Sequence, residues 1–142
     1  MIVKDVMNPD VKTTTSDVTV QEAAEEMKKH RIGSLVVIDD SKLVGILTER
    51  DIMDKIVAEA KDSSKFLVKD VMTTDPVLVS PHKDISEAAD VMLHNRIKKL
   101  PVVEDKQIIG IITTTDLCHA EPKMIEQIGA LMLFSKKKTM AG

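Results

Sequence analysis

The chain is nearly without large aromatic side chains: it has two phenylalanines, Phe66 and Phe134, in 142 residues, with neither tryptophan nor tyrosine. Platforms on which unpaired bases stack cannot be built from that stock. A single cysteine, Cys118, excludes an internal disulfide framework and a cysteine-rich zinc site, and it reads as a small core residue rather than a nucleophile. The five glycines (Gly33, Gly45, Gly110, Gly129 and Gly142) lie far apart, so there is no glycine-rich phosphate loop. His30, His82, His94 and His119 share no spacing that puts two metal ligands on one helical face. Charge of neither sign dominates, with 20 basic against 23 acidic residues, so the strong field of a nucleic-acid binder is missing. No apolar run approaches bilayer length, and the opening Met1-Ile2-Val3-Lys4-Asp5 holds no signal-peptide core. The expectation is a soluble, cytoplasmic protein, not an enzyme, with no metal and with neither nucleic acid nor membrane as partner.

What the chain does have is an aliphatic stock, 43% apolar with nine methionines, and a repeat. Of residues 3–52, nineteen of fifty are identical to the residue 65 positions on, without a gap. Val3-Lys4-Asp5-Val6-Met7 falls on Val68-Lys69-Asp70-Val71-Met72, Glu22-Ala23-Ala24 on Glu87-Ala88-Ala89, and Gly45-Ile46 on Gly110-Ile111. Self-similarity of this length signals a duplicated supersecondary unit. The expected division is repeat 1 over residues 1–60, a linker over 61–66, repeat 2 over 67–120, and a C-terminal helix with a basic tail over 121–142.

Each repeat reads as β-α-β-β-α. An extended piece (Val11–Thr14, then Val77–Ser80) leads to a helix beginning at Thr19 or Asp84, both good N-caps. Val20, Ala23, Ala24 and Met27 fall at i, i+3, i+4 and i+7, and Ile85, Ala88, Ala89 and Met92 repeat that stripe. Two β-rich runs follow, Leu35–Ile38 and Leu43–Leu47, matched by Leu100–Val103 and Ile108–Ile112, each pair joined by a polar turn. A second helix starts at Thr48 and again at Thr113. The class is mixed α/β (α+β), with two three-stranded sheets packing face to face about a pseudo-two-fold axis.

One motif carries binding chemistry, and it occurs twice. Gly45-Ile46-Leu47-Thr48-Glu49-Arg50-Asp51 and Gly110-Ile111-Ile112-Thr113-Thr114-Thr115-Asp116 each end a strand in a hydroxyl and place a carboxylate three residues on. Either the pair only caps a helix, or the carboxylate also accepts hydrogen bonds from vicinal hydroxyls such as a ribose diol. Arg31 and Arg96, where the first helix gives way to the central strand, could grip a phosphate, with Lys98 or Lys99 adding charge. They could equally be solvated cations at a helix C-terminus.

The repeats resemble a tandem pair of cystathionine-β-synthase (CBS) domains, a stand-alone Bateman module. The resemblance rests on Lys-Asp-Val-Met at each entry, on His30–Val37 and Asn95–Val103 in the middle, and on the two Gly-Ile-x-Thr-x-x-Asp closings. It implies a regulatory sensor, without catalysis and without a cofactor, that binds AMP, ADP or ATP, or else S-adenosylmethionine or NAD. It implies one cleft combining Thr113, Asp116 and Ile111 with Lys12, Ile32 and Gly33, and another combining Thr48, Asp51 and Ile46 with Val77, Ile97 and Lys98. Lys98 stands where Gly33 stands in the other copy, so the two clefts are expected to differ in affinity, with only one occupied at moderate ligand concentration. Val36 departs from the proline frequent in the family, which Pro101 keeps. The resemblance also implies a homodimer through helices and a regulated partner protein. The competing expectation is a structural or protein-interaction module whose motifs merely cap helices. In the tail, Pro122 suits a helix start, and Met124, Ile125, Ile128, Leu131 and Met132 form a stripe before Lys136-Lys137-Lys138; that stripe would pack on its own domain or on another subunit.

Overall fold

Val-Lys-Asp-Val places an aspartate where its carboxylate can turn back on the chain, and each repeat opens with the resulting helical turn. In the computed structural model of the protein, which describes residues 1–129, these turns are α1 (Val3–Val6) and α4 (Val68–Val71). The Asp70 carboxylate accepts the Leu67 backbone N–H at 2.8 Å, and Asp5 accepts that of Ile2 at 3.3 Å. Two long helices follow, α2 (Val20–His30) and α5 (Ile85–Asn95); α5 buries its whole expected stripe, and α2 buries Val20, Ala23 and Met27 but leaves Ala24 half-buried. The Thr19 hydroxyl caps α2 by accepting the Glu22 N–H at 3.1 Å, and Asp84 caps α5 by accepting the Ser86 N–H at 2.9 Å. That backbone bond, helped by the Ser86 hydroxyl, holds the Asp84 carboxyl below the ordinary carboxylate range.

Each long helix is followed by an antiparallel hairpin: β2 (Ser34–Asp39) with β3 (Lys42–Thr48), and β4 (Lys99–Glu104) with β5 (Gln107–Thr113). Asp40 and Ser41 have φ of 49° and 64°, and Asp105 and Lys106 have 51° and 66°. These are primed two-residue turns made without glycine, whose twist matches the strands they join. A short helix leaves each hairpin, α3 (Glu49–Ile52) and α6 (Thr114–Ala120). The first widens into a π-helical turn over Met53–Val57, which buries Ile56 and leaves Met53 and Val57 exposed. The mixed helix and strand content is the expected α+β class.

The compact units cut across the sequence repeats. One unit is Lys12–Pro76, here the repeat-1 unit; the other joins Met1–Val11 to Val77–Gly142, here the repeat-2 unit. Each hairpin body is thus completed by the other repeat's opening segment. Val68 and Val71 of α4 pack with Val20, Ala23, Leu35 and Leu47 in the first core, while Val3 of α1 packs with Ala88, Leu100 and Ile112 in the second. The backbone bonds correspond: the Val68 N–H donates to Val18 O at 2.9 Å, as the Val3 N–H donates to Lys83 O at 2.8 Å. Phe66 O accepts the otherwise orphaned Val20 N–H, and Met1 O that of Ile85.

The two sheets differ from the expected pair. In the repeat-1 unit, β1 (Thr13–Thr14) pairs parallel to β2, giving three strands in the order β1-β2-β3. In the repeat-2 unit, Val77–Ser80 forms no strand; only a single parallel bridge joins Val79 to Val102 beside the two-stranded β4-β5 sheet. The cause is one residue. The Val36 N–H donates to Lys12 O at 3.2 Å, and its counterpart Pro101 has no N–H to offer Val77.

Two close approaches explain two of the repeated glycines. A Cβ on Gly45 would lie 2.8 Å from Thr73 O and 2.9 Å from Met72 Sδ, and one on Gly110 would run into Met7 Sδ. Glycine at these positions lets the Lys-Asp-Val-Met segment lie against the sheet, where Thr73 bridges Ile46 and Asn8 bridges Ile111. Residues 124–129 are helical, and Met124 and Ile128 pack into the repeat-2 core. Leu131, Met132 and Lys136-Lys137-Lys138 lie outside the described residues. Among the described residues no helix is long and apolar enough to cross a membrane.

Candidate functional site

β3 and β5 each end in an extended threonine, so the chain leaves the sheet with the hydroxyl beside the first turn of the next helix. The Thr48 hydroxyl accepts the Asp51 N–H at 3.1 Å, and the Asp51 carboxylate accepts the Thr48 N–H at 3.0 Å. Thr113 and Asp116 repeat the same two bonds at 3.1 and 3.0 Å. Both motifs therefore complete a reciprocal helix cap. That cap uses one carboxylate oxygen, Oδ2, of each aspartate, and the two copies part company over what else the carboxylate meets.

Asp51 is 7% exposed, and its carboxylate is ringed by donors. The Thr48 hydroxyl donates to Oδ2 at 3.0 Å, Lys55 Nζ lies 3.3 Å from Oδ1, and the Thr73 hydroxyl sits 3.1 and 3.2 Å from the two oxygens. Lys55 also donates to Val71 O at 2.8 Å, tying the π-helical turn to α4. Asp116 is half-buried, and among the described residues its carboxylate accepts only the Thr113 N–H. Ala120 occupies the place equivalent to Lys55. Asn8 occupies that of Thr73, and its side chain turns away to accept the Asp10 N–H at 2.9 Å.

Arg31 and Arg96 are exposed and stand at the C-terminal ends of α2 and α5 in the left-handed conformation, each with φ of 55°. Their N–H groups bond back to Met27 and Lys28, or to Met92 and Leu93. Glycine is the usual residue for such a cap, because a Cβ costs energy there. Beyond each arginine the chain is pinned to the motif helix: the Glu49 N–H donates to Gly33 O and the Thr114 N–H to Lys98 O, both at 3.0 Å. A Cβ at Gly33 would run into the Glu49 carboxylate. The Gly33-to-Lys98 difference is thus one half of a paired change, Gly33 with Glu49 against Lys98 with Thr114.

Within the repeat-1 unit the fold gathers Thr48, Asp51 and Ile46 with Arg31, Ile32, Gly33 and Lys12; within the repeat-2 unit it gathers Thr113, Asp116 and Ile111 with Arg96, Ile97, Lys98 and Val77. Ile46 pairs with Val36, and Ile111 with Pro101. Each expected cleft draws residues from both units. Sequence reasoning passed over Lys55, Thr73 and Glu49; comparing each with its partner 65 residues away (Ala120, Asn8 and Thr114) is the signal that finds them. Cys118 is half-buried against the repeat-2 core, and among the described residues no cluster of side chains could hold a metal ion. An open groove of about 450 Å³ marks the repeat-1 unit, between Met27, Arg31 and Ile32 on one side and Ile52, Met53 and Val57 on the other.

The chain matches the CBS domain family twice, over residues 3–58 and 68–123. It is 36% identical over 115 residues to the CBS domain-containing protein YhcV of Bacillus subtilis, covering 81% of each chain. Against three curated relatives that it matches, it spans from 54% to 81% of their length. Among solved structures it is similar to the CBS domain protein TA0289 of Thermoplasma acidophilum, with a TM-score of 0.85, 28% identity, and 96% of this chain and 76% of that one covered. It is also similar to the CBS-domain pair of protein MJ0100 in complex with 5′-methylthioadenosine and S-adenosyl-L-methionine, with a TM-score of 0.75, 30% identity, and 84% and 94% covered. The duplicated body, the paired Thr-x-x-Asp corners and these matches lead to one conclusion: the chain belongs to the CBS-domain family and carries two CBS domains in tandem.

Proposed function

We propose that this protein is a regulatory module that binds an adenosine-containing ligand without catalysis and passes its occupancy to a partner protein. The observation that carries the reading is the half-buried Asp116 carboxylate, which the cap leaves with acceptor capacity in a family where the CBS pair of MJ0100 holds two adenosine derivatives. A carboxylate of this kind suits the two hydroxyls of a ribose. Ile111, half-buried on the adjoining strand, supplies aliphatic surface for a base in a chain nearly without rings. Lys98 and the arginines suit phosphate, which favours AMP, ADP or ATP over S-adenosylmethionine, which carries none.

A competing reading, a structural or interaction module, draws on the fact that each Thr-x-x-Asp pair forms a reciprocal helix cap of its own. Thermal unfolding with and without millimolar AMP, ATP and S-adenosylmethionine separates the two. A ligand at a hundred times its Kd stabilises the fold by about 2.7 kcal/mol, a rise of several degrees. Asp116→Ala is expected to remove that rise. No rise with any of the three favours the structural reading. The homodimer belongs to the same proposal, supported by the exposed Met53 and Val57 beside the groove of the repeat-1 unit; sedimentation at equilibrium measures it directly as a mass twice that of the chain.

A further inference from the structure

The duplicated corner predicts two ligands per chain, yet the side chains around the two carboxylates are not duplicated. A carboxylate has about four lone-pair directions. Those of Asp51 are met by the Thr48 N–H, the Thr48 hydroxyl, the Lys55 ammonium and the Thr73 hydroxyl, all within 3.3 Å. We infer that Lys55 and Thr73 set the stoichiometry of the module: they withdraw Asp51 from ligand binding, so the chain takes one adenosine-type ligand, through Asp116, rather than two. This rests on the adenosine reading above and adds to it which motif works and what disables the other.

The energetic argument is one of exchange. To accept both hydroxyls of a ribose, Asp51 would have to release Lys55 and Thr73. The contact from Lys55 pairs two opposite charges across 3.3 Å, and a sugar hydroxyl offers the carboxylate no countercharge in return. Lys55 also clasps Val71 O, so releasing it loosens α4 from the π-helical turn as well. A ligand at this corner therefore breaks about as much as it makes. At Asp116 no such exchange is required: Ala120 carries no donor, and the Asn8 side chain is engaged with Asp10. The asymmetry resides in the non-identical residues of two otherwise matched corners, where the Thr, the Asp and the backbone bridges are retained.

Calorimetric titration of the full chain with AMP, and separately with S-adenosylmethionine, reads the stoichiometry. One equivalent per chain is expected, rising to two in the Lys55→Met, Thr73→Val double variant. Amide NMR shifts of the unaltered chain provide the same reading without a substitution: AMP should move the amides of residues 113–117 and leave those of 48–52 in place. Two equivalents in the unaltered chain, or comparable shifts at both corners, overturn the inference. A folded double variant that still takes one equivalent also overturns it. If neither compound binds the unaltered chain, the adenosine reading fails and takes the stoichiometry with it, whereas binding in the wrong ratio sinks only the roles given to Lys55 and Thr73.

Discussion

In the repeat-1 unit the central strand β2 gains a parallel neighbour over two consecutive residues, whereas in the repeat-2 unit the same contact shrinks to one bridge at Val79. The two units also differ at the motif corner, where one aspartate is enclosed by Lys55 and Thr73 and the other is not. They differ again along the long helix: Ala89, Met92 and Leu117 share a core with Met124 and Ile128, while Met27 and Ile52 border an open groove. Each difference traces to one or two substitutions or to the added tail, set on a framework whose caps, turns and glycine contacts are kept in both copies. Duplication has preserved what folds and varied what lies next to the Thr-x-x-Asp motifs. A lysine in place of an alanine, 65 residues apart, is enough to give two like corners unlike chemistry.

The largest expected effect tests the glycine contacts. Gly45→Ala forces a Cβ against the Thr73 backbone and should cost about 2–3 kcal/mol, the range for overpacking that only a backbone shift relieves. Gly110→Ala presses mainly on the Met7 side chain, which can swing aside, and should cost about 1 kcal/mol. Urea unfolding of the two variants gives the order, and a reversed order would show that Met7 is the less yielding neighbour. A smaller effect tests the sheet edge. Val36→Pro removes the donor to Lys12 O and should cost about 1 kcal/mol, with faster amide exchange over residues 12–14. Pro101→Val should do the converse, giving position 101 an amide that becomes protected by Val77. The smallest effect concerns the left-handed arginine. Arg31→Gly should raise stability by up to about 1 kcal/mol, since glycine takes φ of 55° without cost. The matching change beside Asp116, Arg96→Gly, should weaken AMP more than adenosine, and equal weakening of both would remove Arg96 from phosphate binding.

Much of this architecture is legible in the sequence because it is local. The cap at Thr19, the stripe from Val20 to Met27 and the corners at Thr48 and Thr113 announce themselves within four residues, and the structure places them there. The single-turn helices α1 and α4 are not, because four residues hold no periodicity and their partners lie far along the chain. The missing strand at Val77–Ser80 turns on the N–H that Pro101 lacks, a property of its neighbour rather than of the segment itself. The enclosure of Asp51 escaped for the same reason: Thr73 stands 22 residues away, and neither it nor Lys55 belongs to the repeated motif. A pattern search finds what the repeats share, while the behaviour of this carboxylate depends on where they disagree.

The crossed pairing of opening segments and bodies has a consequence for the history of the chain. A fragment cut at residue 60 would keep Val3 without the core it enters and would strip the Val20 amide of the Phe66 carbonyl. An ancestor with one copy could make the same contacts only by lending its first residues to a sister molecule and borrowing the equivalent stretch in return. Fusion of the two genes would then have turned a reciprocal loan between strangers into a private arrangement, leaving each half free to mutate alone.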